Sequence, residues 1–246
     1  HSSFINWPIF LGEDRVNEEK ALWSRSPSEI SEEEYNEFYK HITGDWQDPM
    51  AHIHFNAEGP VTFNAVLFIP QKHSMQLDNM NYNVDLKLFQ KRVQVIEHAN
   101  DLLPQYLRFV CGIVDSPDIE LNVSREILQK TKAVEVIKKQ ITKRILRKLK
   151  EIAKENNEDY NKFWEDMGVI LKGGIPEDQK YKDDIVELFR CKTTASEDQW
   201  RSLKDIKENI KEGQSELWYL TNVTSRENIS SLPVLEGFKK RDWEVM

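Results

Sequence analysis

The hydrophobic positions along this chain change period several times, and each change predicts an element. In "SEISEEEYNEFYKHI", Tyr35, Phe38, Tyr39 and Ile42 recur at helical spacing, and Ser31 with Glu34 makes a capping-box pattern at the start. Both signals predict an amphipathic helix. "AHIHFNAEG" and "VTFNAVLFIP" have strand composition instead, with Gly59 and Pro60 at a hairpin turn and Pro70 closing the second run. In "VDLKLFQKRVQVI" the alternation of Leu86 and Leu88, then Val93 and Val95, predicts a third strand, with a bulge at the slip in "QKR". "YLRFVCGIVDS" is a denser apolar run ending in a polar turn, the pattern of a central strand buried on both faces. From Arg125 onward Val134, Ile137, Ile141, Ile145, Leu149 and Ile152 form one stripe. This predicts a helix of roughly 40 Å with Ser124 as its N-cap.

The second half begins near "KENNEDYNKFWEDMGVILKGGIPEDQ", where polar residues and the Gly173-Gly174 pair punctuate short helices. Capping patterns recur at Ser196 with Gln199 and at Ser202 with Asp205, before a predicted strand "ELWYLTN" and a helix around "ISSLPVLEGFKKR" that Pro233 starts or kinks. The predicted fold class is α/β. A larger subdomain, a helix-covered mixed sheet, takes residues 1–150; a short helical connector takes 151–178; a smaller α/β subdomain, C-terminally truncated within the strand "WEVM", takes 179–246.

Composition narrows the function. The chain has 246 residues, 39% hydrophobic, and a formal net charge of -8, so its summed field repels nucleic-acid phosphates and anionic lipid. Neither nucleic acid nor a membrane is an expected partner. The long helix does carry Lys138, Lys139, Lys143, Arg144, Arg147 and Lys148. A basic nucleic-acid or membrane helix is one reading, but the wide apolar stripe favours a sheet-packing helix with a solvated outer face. Local attraction to an acidic partner stays open.

Cys111 and Cys191 lie far apart without a Cys-x-x-Cys pattern, so neither zinc nor a disulfide framework is encoded. The histidines show no His-Glu-x-x-His spacing, although His52 and His54 would share one strand face, and no metal is expected. No run approaches the about eighteen apolar residues of a membrane span. The opening "HSSFINWPIF" and the ending "RDWEVM" suggest an excised part of a longer protein, so targeting signals cannot be read from it.

No Gly-x-x-x-x-Gly-Lys-Ser/Thr, Gly-x-Gly-x-x-Gly or Gly-x-Ser-x-Gly pattern occurs, so the chain alone is expected to be catalytically inactive. What remains is Arg125, a cation in the first turn of a predicted helix, where the macrodipole disfavours it. Backbone N–H groups and a guanidinium would converge there on an anion. The reading that the residues alone favour is that Arg125 pairs with Asp115, Asp118 or Glu126 and is structural. The residues alone leave both readings standing.

"YLRFVCGIVDSPDIELNVSREILQ" closely resembles the catalytic-loop region of the heat-shock-protein 90 chaperone family. "ALWSRSPSEISEEEYNEFYK", "DPMAHIHFNAEGPVTFNAVLFIP", "SLKDIKENIKEGQSELWYLT" and "LEGFKKRDWEVM" resemble that family's middle segment in the same order, so the resemblance covers essentially the whole chain. It implies a two-part α/β middle domain of an ATP-dependent chaperone, whose N-terminal ATPase domain and C-terminal homodimerisation domain lie outside this chain. ATP with Mg2+ would be bound by the N-terminal domain, with no cofactor held tightly by this segment. In the family, the Arg of Asn-x-Ser-Arg-Glu-x-x-Gln reaches the ATP γ-phosphate when the N-terminal domain closes. That position is Arg125 here, with Asn122 and Gln129 at the other polar positions of the motif.

The resemblance also implies client proteins and co-chaperones as partners. Met75 stands where the family carries a large aromatic in an exposed apolar patch, and Trp23 keeps a Trp-x-Arg pattern. Both are candidate partner or client contacts, with a buried core Trp as the other reading of Trp23. Cys111 replaces a residue that is commonly basic. "DPMAHIHFNAEGPVTF" is most similar to the endoplasmic-reticulum paralogue, which makes the reticulum lumen the expected compartment, where the sequons at Asn222 and Asn228 would be usable. A mitochondrial, plastid or bacterial cytoplasmic member is the alternative. A non-catalytic interaction module with a structural Arg125 is the alternative function.

Overall fold

The computed structural model describes residues 10–15, 21–72, 82–119, 131–220 and 232–246. Asn122, Ser124, Arg125, Gln129, Met75, Asn222 and Asn228 lie outside the described residues. A two-residue pair of strands, β1 (Phe10–Leu11) and β2 (Asp14–Arg15), opens the described chain. A 3-10 turn at Leu22–Ser24 then leads into α1 (Glu32–Thr43). The capping box forms as the pattern predicts: Glu34 N–H donates to Ser31 Oγ at 3.3 Å, and the Glu34 carboxylate accepts from Ser31 N–H at 3.0 Å. Gly44, at φ 73, ends the helix in the left-handed conformation that a Cβ disfavours.

Five strands make the main sheet: β3 (Ala51–Ala57), β4 (Phe63–Ile69), β5 (Leu86–Gln90), β6 (Val93–Ile96) and β7 (Cys111–Asp115). Their order is β3-β4-β7-β5-β6, antiparallel except for the parallel β5·β7 pair. All five residues of β7 are buried, as expected of a central strand. On β4 the alternation divides the core in two. Phe63, Ala65, Leu67 and Ile69 pack on the face covered by α2 (Lys132–Glu155) and α3 (Asn157–Lys172), while Val66 and Phe68 pack beneath α1. Both faces being covered is why β4 reads as an unbroken apolar run rather than an alternating one.

The segment 151–178, read from sequence as a connector, contains α3, and Tyr160, Phe163, Trp164 and Met167 belong to the same buried cluster as the sheet. Beyond it come α4 (Gly174–Glu177), α5 (Lys182–Leu188), the hairpin of β8 (Arg190–Thr193) with β9 (Ser196–Ser202), α6 (Leu203–Glu208) and α7 (Glu236–Lys239). The described residues form an α/β fold, a five-stranded mixed sheet with helices on both faces and two small two-stranded sheets, β1-β2 and β8-β9.

Four local expectations change. "QKR" is not a bulge within one strand but a two-residue turn between two, with Gln90 paired to Val93 and the shift in register falling at Leu88/Phe89. The long helix is capped not by Ser124 but by Thr131, whose extended backbone (φ -94, ψ 162) and side chain accepting from Val134 N–H mark a helix start there. α2 therefore begins after Arg125 in the chain, and Arg125 itself lies outside the described residues. Ser196 and Gln199 lie in β9 rather than at a helix start, because Thr193 pairs with Ser196 to close a tight hairpin. Among its described residues, 216–220, "ELWYLTN" forms a parallel bridge, Trp218 to Val245, extended by Met246 N–H on Trp218 O and Leu220 N–H on Met246 O, both at 2.8 Å.

Candidate functional site

The site grows from the end of β7. Asp115, the last residue of that strand, is 7% exposed, and its carboxylate accepts from the Trp23 indole N–H at 2.9 Å and from the Arg92 backbone N–H at 3.1 Å. Two charge-assisted bonds are what make a buried carboxylate tolerable. Trp23 is fully buried, its ring 4.8 Å from Phe89 and 6.1 Å from Phe38. It is a core tryptophan with a polar handle, and its burial leaves no surface for a client in this conformation.

Arg92 sits in the turn between β5 and β6, where Lys91 (φ 52) and Arg92 (φ 67) are both left-handed. Two positive φ values suit the right-handed twist of a two-residue hairpin, but side chains other than Gly lose about 1–2 kcal/mol at each such position. The Asp115 carboxylate on the Arg92 N–H offsets part of that cost, and the Arg92 guanidinium donates to Ser24 Oγ at 3.2 Å. A cleft of about 320 Å³ opens here, lined by Ser24, Thr62, Asn64, Lys91, Arg92 and Asp115.

The chain leaving β7 is bonded at nearly every step. Ser116 N–H donates to Phe89 O at 3.1 Å, and Ser116 Oγ donates to Thr62 O at 2.8 Å while accepting from Asp118 N–H at 3.3 Å. Thr62 N–H donates to Asp118 Oδ2 at 2.7 Å, and Gln90 Nε2 donates to Ile119 O at 3.0 Å. Asn122, Arg125 and Gln129 follow directly, between this bonded segment and the Thr131 cap. Sequence reasoning missed Thr62, Gln90 and Asp118 as a set. The only local signal is the polar "DSPD" turn after the apolar run, which favours side-chain to backbone bonds.

The other singled-out residues lie elsewhere. Cys111 begins β7, at the far end from Asp115; burial pushes its thiol up, and its Sγ lies 3.8 Å from Phe68 O. On α2 the apolar stripe is buried while Lys132, Lys139, Lys143 and Arg147 are exposed, as a sheet-packing helix requires. Among the described residues no three His, Cys, Asp or Glu side chains come together as a metal site.

His52 and His54 do share a face of β3. The Tyr35 ring stacks on His52 at 3.8 Å, and the Tyr35 hydroxyl lies 2.7 Å from His54 Nδ1. Burial lowers both imidazoles below their usual 6.5; the Glu32 carboxylate opposes this at His52, and the Trp23 carbonyl opposes it at His54, while Lys148 and Arg25 act in the same sense as burial. The folded state thus favours neutral imidazoles, and below 6.5 the unfolded chain binds more protons. Stability is full above that value and falls as pH drops toward the lowered folded pKa. The urea midpoint is expected to fall between about pH 7 and about pH 5 more steeply in the natural chain than in a His52→Gln/His54→Gln variant. Equal slopes would remove the histidines from the account.

Comparison with known proteins gives concordant results. The family model described as "Hsp90 protein" matches residues 9–246. Relatives named "Chaperone protein HtpG" are 39% identical in Mycolicibacterium paratuberculosis, over 100% of this chain and 41% of the relative, and 39% identical in Bdellovibrio bacteriovorus, over 100% and 40%. The namesake from Francisella tularensis subsp. novicida is 43% identical, over 95% of this chain and 37% of its own length. The chain thus spans about two fifths of the length of the curated relatives it matches. These relatives are bacterial, so the similarity lends no support to the expected reticulum lumen and favours the bacterial alternative.

Proposed function

This chain belongs to the heat-shock-protein 90 family, and on that footing we propose that it is the middle segment of an ATP-dependent chaperone. In this reading it supplies Arg125 to the γ-phosphate of ATP held, with Mg2+, by an N-terminal domain. Asn122 and Gln129 order the loop or contact the nucleotide, and Met75 together with exposed faces of the chain receives client proteins and co-chaperones. A C-terminal domain would join two copies as a homodimer, and the bacterial relatives favour the bacterial cytoplasm as the compartment.

The observation that carries the reading is the bonded exit of β7. A segment that must present a side chain to a separate domain benefits from a fixed root, since orientation is a large part of what a positioned charge contributes. An arginine that meets its anion only on closure stabilises the closed state differentially, which couples hydrolysis to the conformational cycle. The chain itself offers no Gly-rich phosphate cradle, in keeping with a site divided between domains.

The test is a comparison of ATP turnover by this chain alone, by the N-terminal domain alone and by the full-length protein. Turnover is expected only when both parts are present in one molecule. An N-terminal domain that hydrolyses ATP as fast alone as in the full-length protein would instead favour an interaction module with a structural Arg125.

A further inference from the structure

The cleft beside the β5–β6 turn has no part in the function proposed above, and two observations set it apart. The first is charge. Its lining holds Lys91, Arg92 and one carboxylate, Asp115, so it carries one net positive charge in a chain whose formal net charge is -8. Asp115 Oδ2 is spent on the Trp23 indole N–H and the Arg92 backbone N–H, and the Arg92 guanidinium is steadied by Ser24 Oγ, which itself donates to Ala21 O at 2.7 Å. Lys91 is exposed, and its ammonium, the Thr62 hydroxyl and the Asn64 carboxamide have no bonding partner among the described residues.

The second observation is backbone. Two-residue turns with both φ values positive favour Asn-Gly, yet Lys91 (φ 52) and Arg92 (φ 67) occupy this one. Strain at residues other than Gly persists only where the surroundings hold it, and it concentrates at sites of function. Here it sets two cations side by side at one cleft.

We propose that this cleft is a carboxylate-binding site, which receives an Asp or Glu side chain from an acidic segment of a partner polypeptide. The charge decides the ligand class. One net positive charge is neutralised by a monoanionic carboxylate, whereas a phosphate dianion would leave excess negative charge beside the buried Asp115. The guanidinium supplies a planar fork, the ammonium a point charge, and Thr62 and Asn64 supply neutral donors. A volume of about 320 Å³ is at the small end of ligand pockets and suits one side chain. Exposure of Thr62 and Lys91 at its mouth lets that side chain stay attached to its own polypeptide. Nothing in this inference depends on the role given to Arg125.

The test uses the full-length protein and a fluorescein-labelled penta-glutamate peptide followed by fluorescence anisotropy, with penta-glutamine as the neutral control. Only the glutamate peptide is expected to bind. Lys91→Gly removes the cation and relieves the left-handed strain, so it is expected to weaken binding about three- to ten-fold without lowering the urea midpoint. Lys91→Arg, which keeps the charge, is expected to hold binding within about two-fold. Lys139→Gln/Lys143→Gln, on the exposed face of α2, is the control for diffuse attraction and is expected to change binding less than Lys91→Gly does. A loss in that variant as large as in Lys91→Gly overturns the proposal, as does unchanged binding in Lys91→Gly. At matched ionic strength, acetate is expected to displace the peptide at least as well as inorganic phosphate. Displacement by phosphate at about ten-fold lower concentration would overturn the assignment to a carboxylate. No binding of penta-glutamate up to about 1 mM, or equal binding of penta-glutamine, would overturn the site itself.

Discussion

Replacing Arg125 by Ala in the full-length protein is expected to lower kcat for ATP hydrolysis by about a hundred-fold or more. In the function proposed above the nucleotide is bound by another domain and the contact forms only on closure, so affinity for ATP should change by less than about two-fold. The split between these two quantities is the informative part. An arginine that merely stabilises the fold would lower the unfolding midpoint and reduce both parameters through the folded fraction. A phosphate-contacting arginine leaves the midpoint and ATP binding in place and removes only transition-state stabilisation. Lys at this position is expected to recover little, because its point charge lacks the planar fork that matches phosphate oxygens. Single-turnover ATPase assays beside equilibrium nucleotide titration separate these outcomes. Unchanged kcat in Arg125→Ala would end the catalytic reading.

Gly112→Ala is expected to be the most damaging single-methyl change in the described sheet. Gly112 has φ 138, and a Cβ built there would lie 2.2 Å from Val66 O and 2.9 Å from Leu67 Cα, both in the neighbouring strand. Backbone cannot swing aside as a flexible side chain can, so relief requires β4 and β7 to separate at their pairing. The strained φ adds to the overlap. A loss of about 4 kcal/mol or more follows, in the range where one substitution uses up much of a domain's stability. Urea unfolding of this chain measures it, and a loss below about 1 kcal/mol would mean that the strands relax apart easily.

Much of the frame was legible because it depends on local chemistry. The Ser31–Glu34 box, the run of β7 and the buried stripe of α2 each follow from residues close together in sequence. The differences arise where distant residues decide. Nothing in "QKR" signals a left-handed turn, and it is Asp115, from another strand, that bonds the Arg92 N–H. Ser124 and Thr131 are equally plausible caps by residue type, so spacing alone could not choose between them. Gln199 follows Ser196 at capping spacing, yet pairing with β8 takes precedence. Arg125 drew attention by its place in the sequence, whereas the roles expected of Arg125, Asn122 and Gln129 come from the family resemblance and lie outside the described residues. The bonds from Thr62 and Gln90 span 56 and 29 positions in the chain, beyond the reach of any local pattern.

The order of the main sheet bears on how the molecule comes to be active. β3 with β4, and β5 with β6, are hairpins whose partners are adjacent in the chain, the first closing from Ala57 to Phe63 and the second from Gln90 to Val93. Contacts of that kind form early, because little chain entropy is lost in bringing the ends together. β7 is the seam that joins the two, antiparallel to one and parallel to the other. Only once the seam closes do the turn of one hairpin and the end of the other come to flank the same five residues, Asp115 to Ile119. If the function proposed above holds, the segment that leads to Arg125 gains its support only after the two hairpins have met on β7.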